Sequence, residues 1–285
     1  MIPFDWVEPN SLKEAVSLLD PQDSTVRPIA GGTALMLMMK TGFFAPSRLV
    51  SLAKIEPSYS TIRMDGDGSL HVGAMVSLAE LERSHEAAVH FPVMKGAIRT
   101  LSNIRVRNVA RVGGALAHGD PHMDLPPLFA ALGARVSVMG PASTREIAVE
   151  DLYAGYYQTV LKNNELISEA AVPPLNGARA AYIKVTSRAA DDWPALSIGV
   201  RLEMADANTI GNARVVIGAA AERVTRLAAT EKLLSAATPD QVTLKRAGEC
   251  AAAESRFISD AHGSAPYKKE LLRVYLSRAI REALS

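Results

Sequence analysis

Four stretches of the chain combine residue types whose chemistry goes beyond packing. In Ala30-Gly31-Gly32-Thr33-Ala34 the glycines let the main chain approach a ligand closely. Amides that open a helix then present donors and partial positive charge to phosphate oxygens. A diphosphate suits such a loop; so does a plain strand-to-helix turn with no ligand. The stretch carries neither the Gly-Lys-Ser/Thr of a P-loop nor a Gly-x-Gly-x-x-Gly dinucleotide fingerprint. A second glycine pair stands in Val112-Gly113-Gly114-Ala115, preceded by Ile104-Arg105-Val106-Arg107-Asn108. It can reach the same diphosphate from the opposite side, or serve as a bend in a long connection. The third stretch, His118-Gly119-Asp120-Pro121-His122-Met123-Asp124, alternates His and Asp, so an extended strand would put four metal ligands on one face. Pro121 bends that run and no further His–carboxylate cluster completes a site, so local hydrogen bonding and helix capping are the expected duties and no metal site is assigned. The fourth stretch is Lys184-Val185-Thr186-Ser187-Arg188-Ala189-Ala190-Asp191-Asp192-Trp193-Pro194, which joins cations, carboxylates and an indole between two strands. Such a loop can cover an aromatic ligand, and Trp193 serves equally as a core residue at the start of a strand.

These stretches need elements to hold them, and periodicity supplies a set. Residues 11–19 have helical spacing, with Ser11 and Glu14 in a capping-box pattern. Residues 26–30 read as a strand, 31–33 as a tight loop, 34–40 as an apolar helix and 48–52 as a further strand. Residues 61–64 and 69–72 flank Asp65-Gly66-Asp67-Gly68 and form an antiparallel pair. Ser77 and Glu80 start a helix running towards His85, and another covers 93–101. Residues 105–125 lack a clean period and read as an extended, winding loop. Pro126 and Pro127 then suit the first turn of a helix ending near Leu132. Strands follow at 135–139 and 166–172, and Pro173-Pro174 with Gly177 marks the clearest boundary in the chain. Beyond it, strands at 180–186, 196–204 and 213–219 precede helices at 227–236, 240–255 and 267–284, the middle one capped by Thr238, Pro239 and Gln241. Strands followed by helices make an α+β C-terminal domain.

Composition narrows the class. The chain has 285 residues, 48% hydrophobic and 21% charged, an ordinary globular balance with room for about two domains. Its net charge of +1, with Lys and Arg interspersed among Asp and Glu, argues against a nucleic acid or an anionic membrane as partner. No apolar stretch is long enough for a membrane span, and Asp5 and Glu8 stand where a leader would be apolar, so a cytoplasmic protein is expected. One cysteine, Cys250, rules out an internal disulfide, a four-cysteine zinc site or a cysteine-ligated iron–sulfur cluster within the chain. Flanked by Ala251, Ala252 and Ala253, it is expected to be a buried, inert thiol.

Taken together, the stretches resemble the FAD-binding medium subunit of the molybdenum hydroxylases, the family of carbon monoxide dehydrogenase and xanthine dehydrogenase. The resemblance rests on Arg27-Pro28-Ile29-Ala30-Gly31-Gly32-Thr33, on residues 104–124 with Leu125-Pro126-Pro127, on residues 184–194, and on Tyr267-Lys268-Lys269-Glu270-Leu271-Leu272, in the family's order. It implies an α+β fold: a two-lobed FAD-binding domain of the vanillyl-alcohol-oxidase/PCMH type, followed by a C-terminal antiparallel sheet and helix-bundle domain. The expected divisions are a first α/β lobe at 1–56, a second at 57–176 and the C-terminal domain, with a three-stranded sheet and three helices, at 177–285. By the family pattern Ala30, Gly31, Gly32, Thr33 and Ala34, and Arg111, Val112, Gly113, Gly114 and Ala115, are the two diphosphate-side loops. Leu101 matches an apolar position beside the cofactor, Asp124 a carboxylate hydrogen-bonded to it and Ile167 a position near the adenine. Lys184, Asp192 and Trp193 match the loop beside the isoalloxazine ring.

There are departures. The family usually has Thr or Ser at the Arg111 position, Asn or Ser at Ala115, and a polar residue at Ala34. These changes remove side-chain donors and leave the main-chain amides. Arg111 can instead meet a phosphate directly. The resemblance further implies non-covalent FAD, molybdopterin and 2Fe–2S clusters only on partner subunits, and assembly with a large molybdopterin-binding and a small 2Fe–2S subunit as a dimer of heterotrimers. Electrons would leave through this chain to oxygen, NAD or a quinone, and no residue need act as nucleophile or general acid. Two other classes compete: a self-contained flavin oxidase acting on a small organic substrate, and a small-molecule-binding or assembly protein without redox chemistry.

Overall fold

The first sheet of the computed structural model, which describes residues 2–285, is parallel. It contains β1 (Asp5–Val7), β2 (Val26–Ile29) and β3 (Arg48–Ser51) in the order β1-β3-β2, linked by α1 (Leu12–Ser17) and α2 (Thr33–Lys40). Strand β1 is absent from the sequence reading because three residues, two of them exposed, show no alternation. Ser11 Oγ accepts from the Glu14 amide as expected, but the Glu14 carboxylate reaches back to the amide of Asn10, one residue upstream of a capping-box partner.

The second sheet is antiparallel. Strands β4 (Ile62–Met64) and β5 (Leu70–Gly73) are followed by six helices: α3 (Leu78–Arg83), α4 (His85–His90), α5 (Pro92–Arg99), α6 (Ile104–Val109), α7 (Val112–Ala117) and α8 (Leu125–Leu132). Then come the hairpin β6 (Arg135–Met139) and β7 (Thr144–Ala148), the small hairpin β8 (Tyr153–Gly155) and β9 (Gln158–Thr159), and β10 (Leu166–Val172). Five of these strands order as β4-β5-β10-β6-β7, with β8 and β9 paired separately. Ser77 and Glu80 form both halves of the capping box at α3. Helix α4 was hidden from the sequence reading because its N-cap, Ser84, is also the C-cap of α3.

One expectation is overturned here. Residues 105–125 are not a winding loop; they hold α6, α7 and the start of α8. Asn103 Oδ1 caps α6 at the Val106 amide, and the Arg107 guanidinium ties it to Glu82 and to the carbonyls of Arg99 and Ser102. Helix α7 is pinned by main-chain bonds from Val112 to Val76 O (2.9 Å) and from Gly113 to Ala74 O (2.8 Å). Tertiary bonds override the poor helix propensity of two glycines in six residues.

The third sheet has four antiparallel strands, not three: β11 (Arg179–Val185), β12 (Leu196–Met204), β13 (Ile210–Gly218) and the two-residue edge β14 (Thr225–Arg226), too short to leave a pattern in sequence. Helices α9 (Ala228–Leu234), α10 (Gln241–Glu254) and α11 (Ala265–Leu284) follow. Asp240, not Thr238, caps α10, accepting from the Thr243 amide at 2.8 Å. Cys250 is half-buried on that helix, less enclosed than expected. Strand β12 is buried along almost its whole length because α8 covers one face and α11 the other. All eight residues of α8 are buried, and its apolar side chains share one core with Val72, Val136 and Ala170 of the second sheet and Tyr182 and Val216 of the third. Among the described residues no helix is long and apolar enough to cross a membrane.

Candidate cofactor-binding cleft

A cleft of about 300 Å³ lies between the first two sheets. One wall is the end of β2 and the start of α2, residues 27–35; the other is Ala74, Met75, Ala110, Arg111, α7 and Leu166–Ile167 of β10. The two glycine loops meet there. A Cβ on Gly31 would stand 2.1 Å from the carbonyl oxygen of Val109 and 2.9 Å from Cα of Ala110, so only glycine lets the first loop seat against the approach to the second. Gly32, at φ = 68°, turns the chain from β2 into α2 in the left-handed region that glycine adopts freely.

The amides facing this cleft divide unequally. In the first loop Met36 N–H closes the first helical bond onto Gly32 O, and the amides of Gly31, Gly32, Thr33, Ala34 and Leu35 have no acceptor among the described residues. They form the donor-rich opening of an eight-residue helix. In the second loop Val112 and Gly113 spend their amides on the neighbouring chain, leaving those of Arg111 and Gly114 open. Gly114 would carry a Cβ with no heavy atom within 4 Å, so its wall is bare main chain. Arg111 gives one donor to Met75 O at 3.0 Å and sits 3.6 Å from Glu80, keeping its other guanidinium donors unassigned. Arg27 and Lys162 also line the cleft, and its one carboxylate, Glu165, is occupied by Arg145 at 2.8 Å. Burial depresses the pKa of the His118 ring below the ordinary imidazole value, and Asp120 only partly opposes this. Free amides from two sides, the cations of Arg27, Arg111 and Lys162, and a lining carboxylate already paired with Arg145 fit the diphosphate of a dinucleotide.

Ala30, Gly31, Gly32, Thr33, Ala34, Arg111, Gly113, Gly114, Ala115 and Ile167 therefore line one surface. Leu101, Val112, Asp124, Lys184, Asp192 and Trp193 lie outside that lining. Leu101 and Val112 are buried in the core behind it. Asp124 accepts from Lys184 Nζ at 2.9 Å and from Tyr182 Oη at 2.8 Å, and Lys184 also donates to Thr100 O, making a buried polar joint between α8 and β11. Lys184 is thus part of a strand and not of the loop that follows it. Asp124 does not cap α8, contrary to the capping expected of the His–Asp run. That run does not converge either: His118 faces the cleft, Asp120 and His122 pair with each other, and Asp124 turns to Lys184. Among the described residues no group of three or more His, Cys, Asp or Glu side chains is arranged to hold a metal. Trp193 is 41% exposed, its ring edge-on to His122 at 5.8 Å, so the core alternative for it falls.

The sequence reading missed Tyr157, Thr159 and Lys162, which enter the cleft from the β8–β9 hairpin and the turn after it. Tyr156-Tyr157 was the available signal, a pair of large aromatics beside a Gly and a Gln where a hairpin tip is usually small and polar.

Residues 2–175 match the family model for the FAD binding domain in molybdopterin dehydrogenase, and residues 181–283 that for the CO dehydrogenase flavoprotein C-terminal domain. The chain is similar to the carbon monoxide dehydrogenase medium chain of Afipia carboxidovorans, 32% identical over 288 residues, covering 99% of this chain and 98% of the relative. It is 30% identical to the nicotine 6-hydroxylase medium subunit of Paenarthrobacter nicotinovorans over 279 residues, 98% of this chain and 96% of that one. Among solved structures it superposes on carbon monoxide dehydrogenase from Hydrogenophaga pseudoflava with a TM-score of 0.94 at 30% identity, covering 99% and 98% of the two chains. For quinoline 2-oxidoreductase from Pseudomonas putida 86 the TM-score is 0.91 at 27% identity, covering 99% and 97%.

Proposed function

This chain belongs to the FAD-binding medium subunits of the molybdenum hydroxylase family, and on that premise we propose that it holds FAD in the cleft between its first two sheets and passes electrons from a partner's iron–sulfur clusters to an external acceptor. The observation that carries the reading is the set of open amides at residues 31–35 and at Arg111 and Gly114, in a cleft whose carboxylate is already neutralised.

FAD supplies the redox chemistry when bound. The chain's own residues bind and orient it. The start of α2 and the bare wall at Gly114 take the diphosphate, and Arg111 adds a charge-assisted donor in place of a lost hydroxyl. Ile167, Leu166 and Leu161 offer apolar surface for the adenine end. Asp192 and Trp193 are proposed for the ring end, where an exposed indole can cover an aromatic face. Leu101, Asp124 and Lys184 are proposed to act from behind, fixing the wall beneath the ring. No group of the chain is required as acid, base or nucleophile.

The partners in this reading are a large molybdopterin-binding subunit and a small 2Fe–2S subunit, joined as a dimer of heterotrimers, in a cytoplasmic setting. The relatives' own names, medium chain and medium subunit, support a multi-chain assembly, and a chain with one cysteine cannot ligate a 2Fe–2S cluster itself. Purification from the native source tests this. The expected result is a yellow-brown complex with one large molybdenum-containing chain and one small iron–sulfur chain per copy of this one. A chain that purifies alone and whose flavin is reduced directly by an organic substrate would overturn it.

A further inference from the structure

The hairpin that edges the cleft holds a strained residue. Tyr157, between β8 and β9, has φ = 55°, a region that L side chains with a Cβ rarely adopt. Two bonds keep it there. Its amide donates to Gly119 O at 2.9 Å and its phenol donates to Asp120 Oδ2 at 2.7 Å. The ring lines the cleft, packs against the His118 ring at 5.3 Å, and reaches Phe43 of the loop after α2 at 6.4 Å. It thereby joins the second lobe to the first along one edge of the cleft.

The Asp120 anchor is itself anchored. Asp120 is buried, and its Oδ1 accepts from the His122 amide at 2.9 Å and faces ring Nδ1 at 3.0 Å. The other ring nitrogen, Nε2, faces Asp260 Oδ2 at 3.0 Å. That same oxygen accepts from Nζ of the fully buried Lys268, which also donates to Ala219 O at 2.8 Å. Ionised carboxylates only accept, so an imidazole with both nitrogens facing carboxylates must carry a proton on each. The result is an alternating row: Asp120 negative, His122 positive, Asp260 negative, Lys268 positive. Its first half belongs to the FAD-binding region and its second to the C-terminal domain.

We propose that Tyr157 is a cofactor-retaining residue whose ring closes one edge of the cleft, and that the row Asp120–His122–Asp260–Lys268 is the positioning device by which the C-terminal domain holds it there. This rests on the reading that the cleft takes FAD. The row's side-chain hydrogen bond to a residue lining the cleft is the one to Tyr157; His122 also lies edge-on to Trp193 at 5.8 Å, so the double variant below decides whether its effect on FAD passes through Tyr157.

A dependence on pH follows. The groups facing His122 are Asp120 on its own loop, Asp260 and His262 from the C-terminal domain, Trp193 from the loop before β12 and Asp124 two residues on; Lys268, Asp192, Tyr156 and Tyr157 meet the row through Asp260, His262 and Asp120. Burial disfavours the imidazolium, but the bonds to the two carboxylates outweigh it and raise the pKa. His262 is held neutral, by burial first and then by the charge on His122, so one imidazolium and not two sits in the row. As pH rises through the raised pKa of His122, a lone pair comes to face a carboxylate, the row loosens and Tyr157 loses its hold.

The test is the dissociation constant of FAD from the full chain, by flavin fluorescence quenching between about pH 6 and 9. Tyr157→Ala should weaken binding about tenfold and Tyr157→Phe, which keeps the ring but not its anchor, about threefold. His122→Gln should match Tyr157→Phe and abolish the rise of the dissociation constant with pH. The double variant Tyr157→Ala/His122→Gln should be no weaker than Tyr157→Ala alone. Wild-type affinity in Tyr157→Ala, or effects that multiply in the double variant, would overturn the proposal. If His122→Gln does not fold, Tyr157→Phe and the wild-type pH profile decide it. A neutral His122 tautomer in the ring ¹⁵N spectrum at pH 7 would also overturn it. A wild-type chain that binds no FAD at any pH is a different result: it removes the cofactor reading beneath.

Discussion

Gly31 and Gly114 have opposite reasons to be glycine, and substitution separates them. At Gly31 an added methyl meets main chain at 2.1 Å that cannot move aside, so Gly31→Ala should destabilise the fold by ~1–3 kcal/mol as an overpacked contact does, visible as a lowered urea midpoint. At Gly114 an added side chain meets only the cleft. Gly114→Leu should hold or raise stability, since leaving glycine in a helix gains ~0.5–1 kcal/mol, while FAD affinity falls tenfold or more by titration. Arg111→Ala should lower flavin retention ~3–10-fold, the worth of a charge-assisted bond at a half-exposed site, with little change in melting temperature. The glycine pairs were legible as residues because main-chain approach is the one property glycine alone offers. Which of their amides stay open was not legible, since Val112 and Gly113 give theirs to residues 36 and 39 positions earlier in the chain.

At the scale of elements, the capping box at Ser77 does more than start a helix. Leu78 N–H bonds to Ala110 O and Val112 N–H to Val76 O, so the start of α3 also fixes the approach to α7. Ser77→Ala should cost ~1 kcal/mol of global stability and loosen FAD as well, measured by denaturation and titration on one sample. Most long elements were readable, because caps such as Ser77 and prolines such as Pro126 mark their ends. Helices α6 and α7 were not, as six residues carry too little period and the bonds that hold them are distant in sequence. Strands β1 and β14 fail the same test at three and two residues. Lys268 was readable in principle: it falls four residues before Leu272 on the stripe Leu272, Leu276, Ala279, Ile280, Ala283 that α11 buries. A lysine on an apolar stripe signals a buried partner, here Asp260.

In the whole molecule the cleft is built by two lobes but held by three regions. Two buried polar joints tie the C-terminal domain to the segment between α7 and α8: Asp124 with Lys184 and Tyr182, and the row from Asp120 to Lys268. Asp124→Asn would leave Lys184, with 5% of its side chain exposed, without its countercharge, and should cost ~3–5 kcal/mol by chemical denaturation. The second joint sets a pH window. Burial favours protonation of Asp120 and Asp260, but their hydrogen bonds prevail and hold both pKa values below the ordinary carboxylate range, so their contribution is present above the unfolded pKa and lost as pH falls through the folded one. The raised pKa of His122 acts oppositely: its contribution is complete below the unfolded value near 6.5 and lost as pH rises through the folded one. Stability should therefore peak at mildly acidic to neutral pH, and His122→Gln should flatten the alkaline side of the profile. These joints could not be read from sequence, since Asp120 and Asp260 lie on opposite sides of the domain boundary and only the fold brings them to one imidazole. The central claim is that open amides grip a diphosphate, and the most direct measurement compares FAD with riboflavin, which lacks that group, by calorimetric titration of the wild-type chain and Gly114→Leu. The account predicts one FAD per chain, riboflavin weaker by ~100-fold or more as befits the loss of several charge-assisted bonds, and loss of most of that advantage in the variant. Equal affinity for the two ligands, or a variant that binds FAD as well as the wild type does, would contradict it.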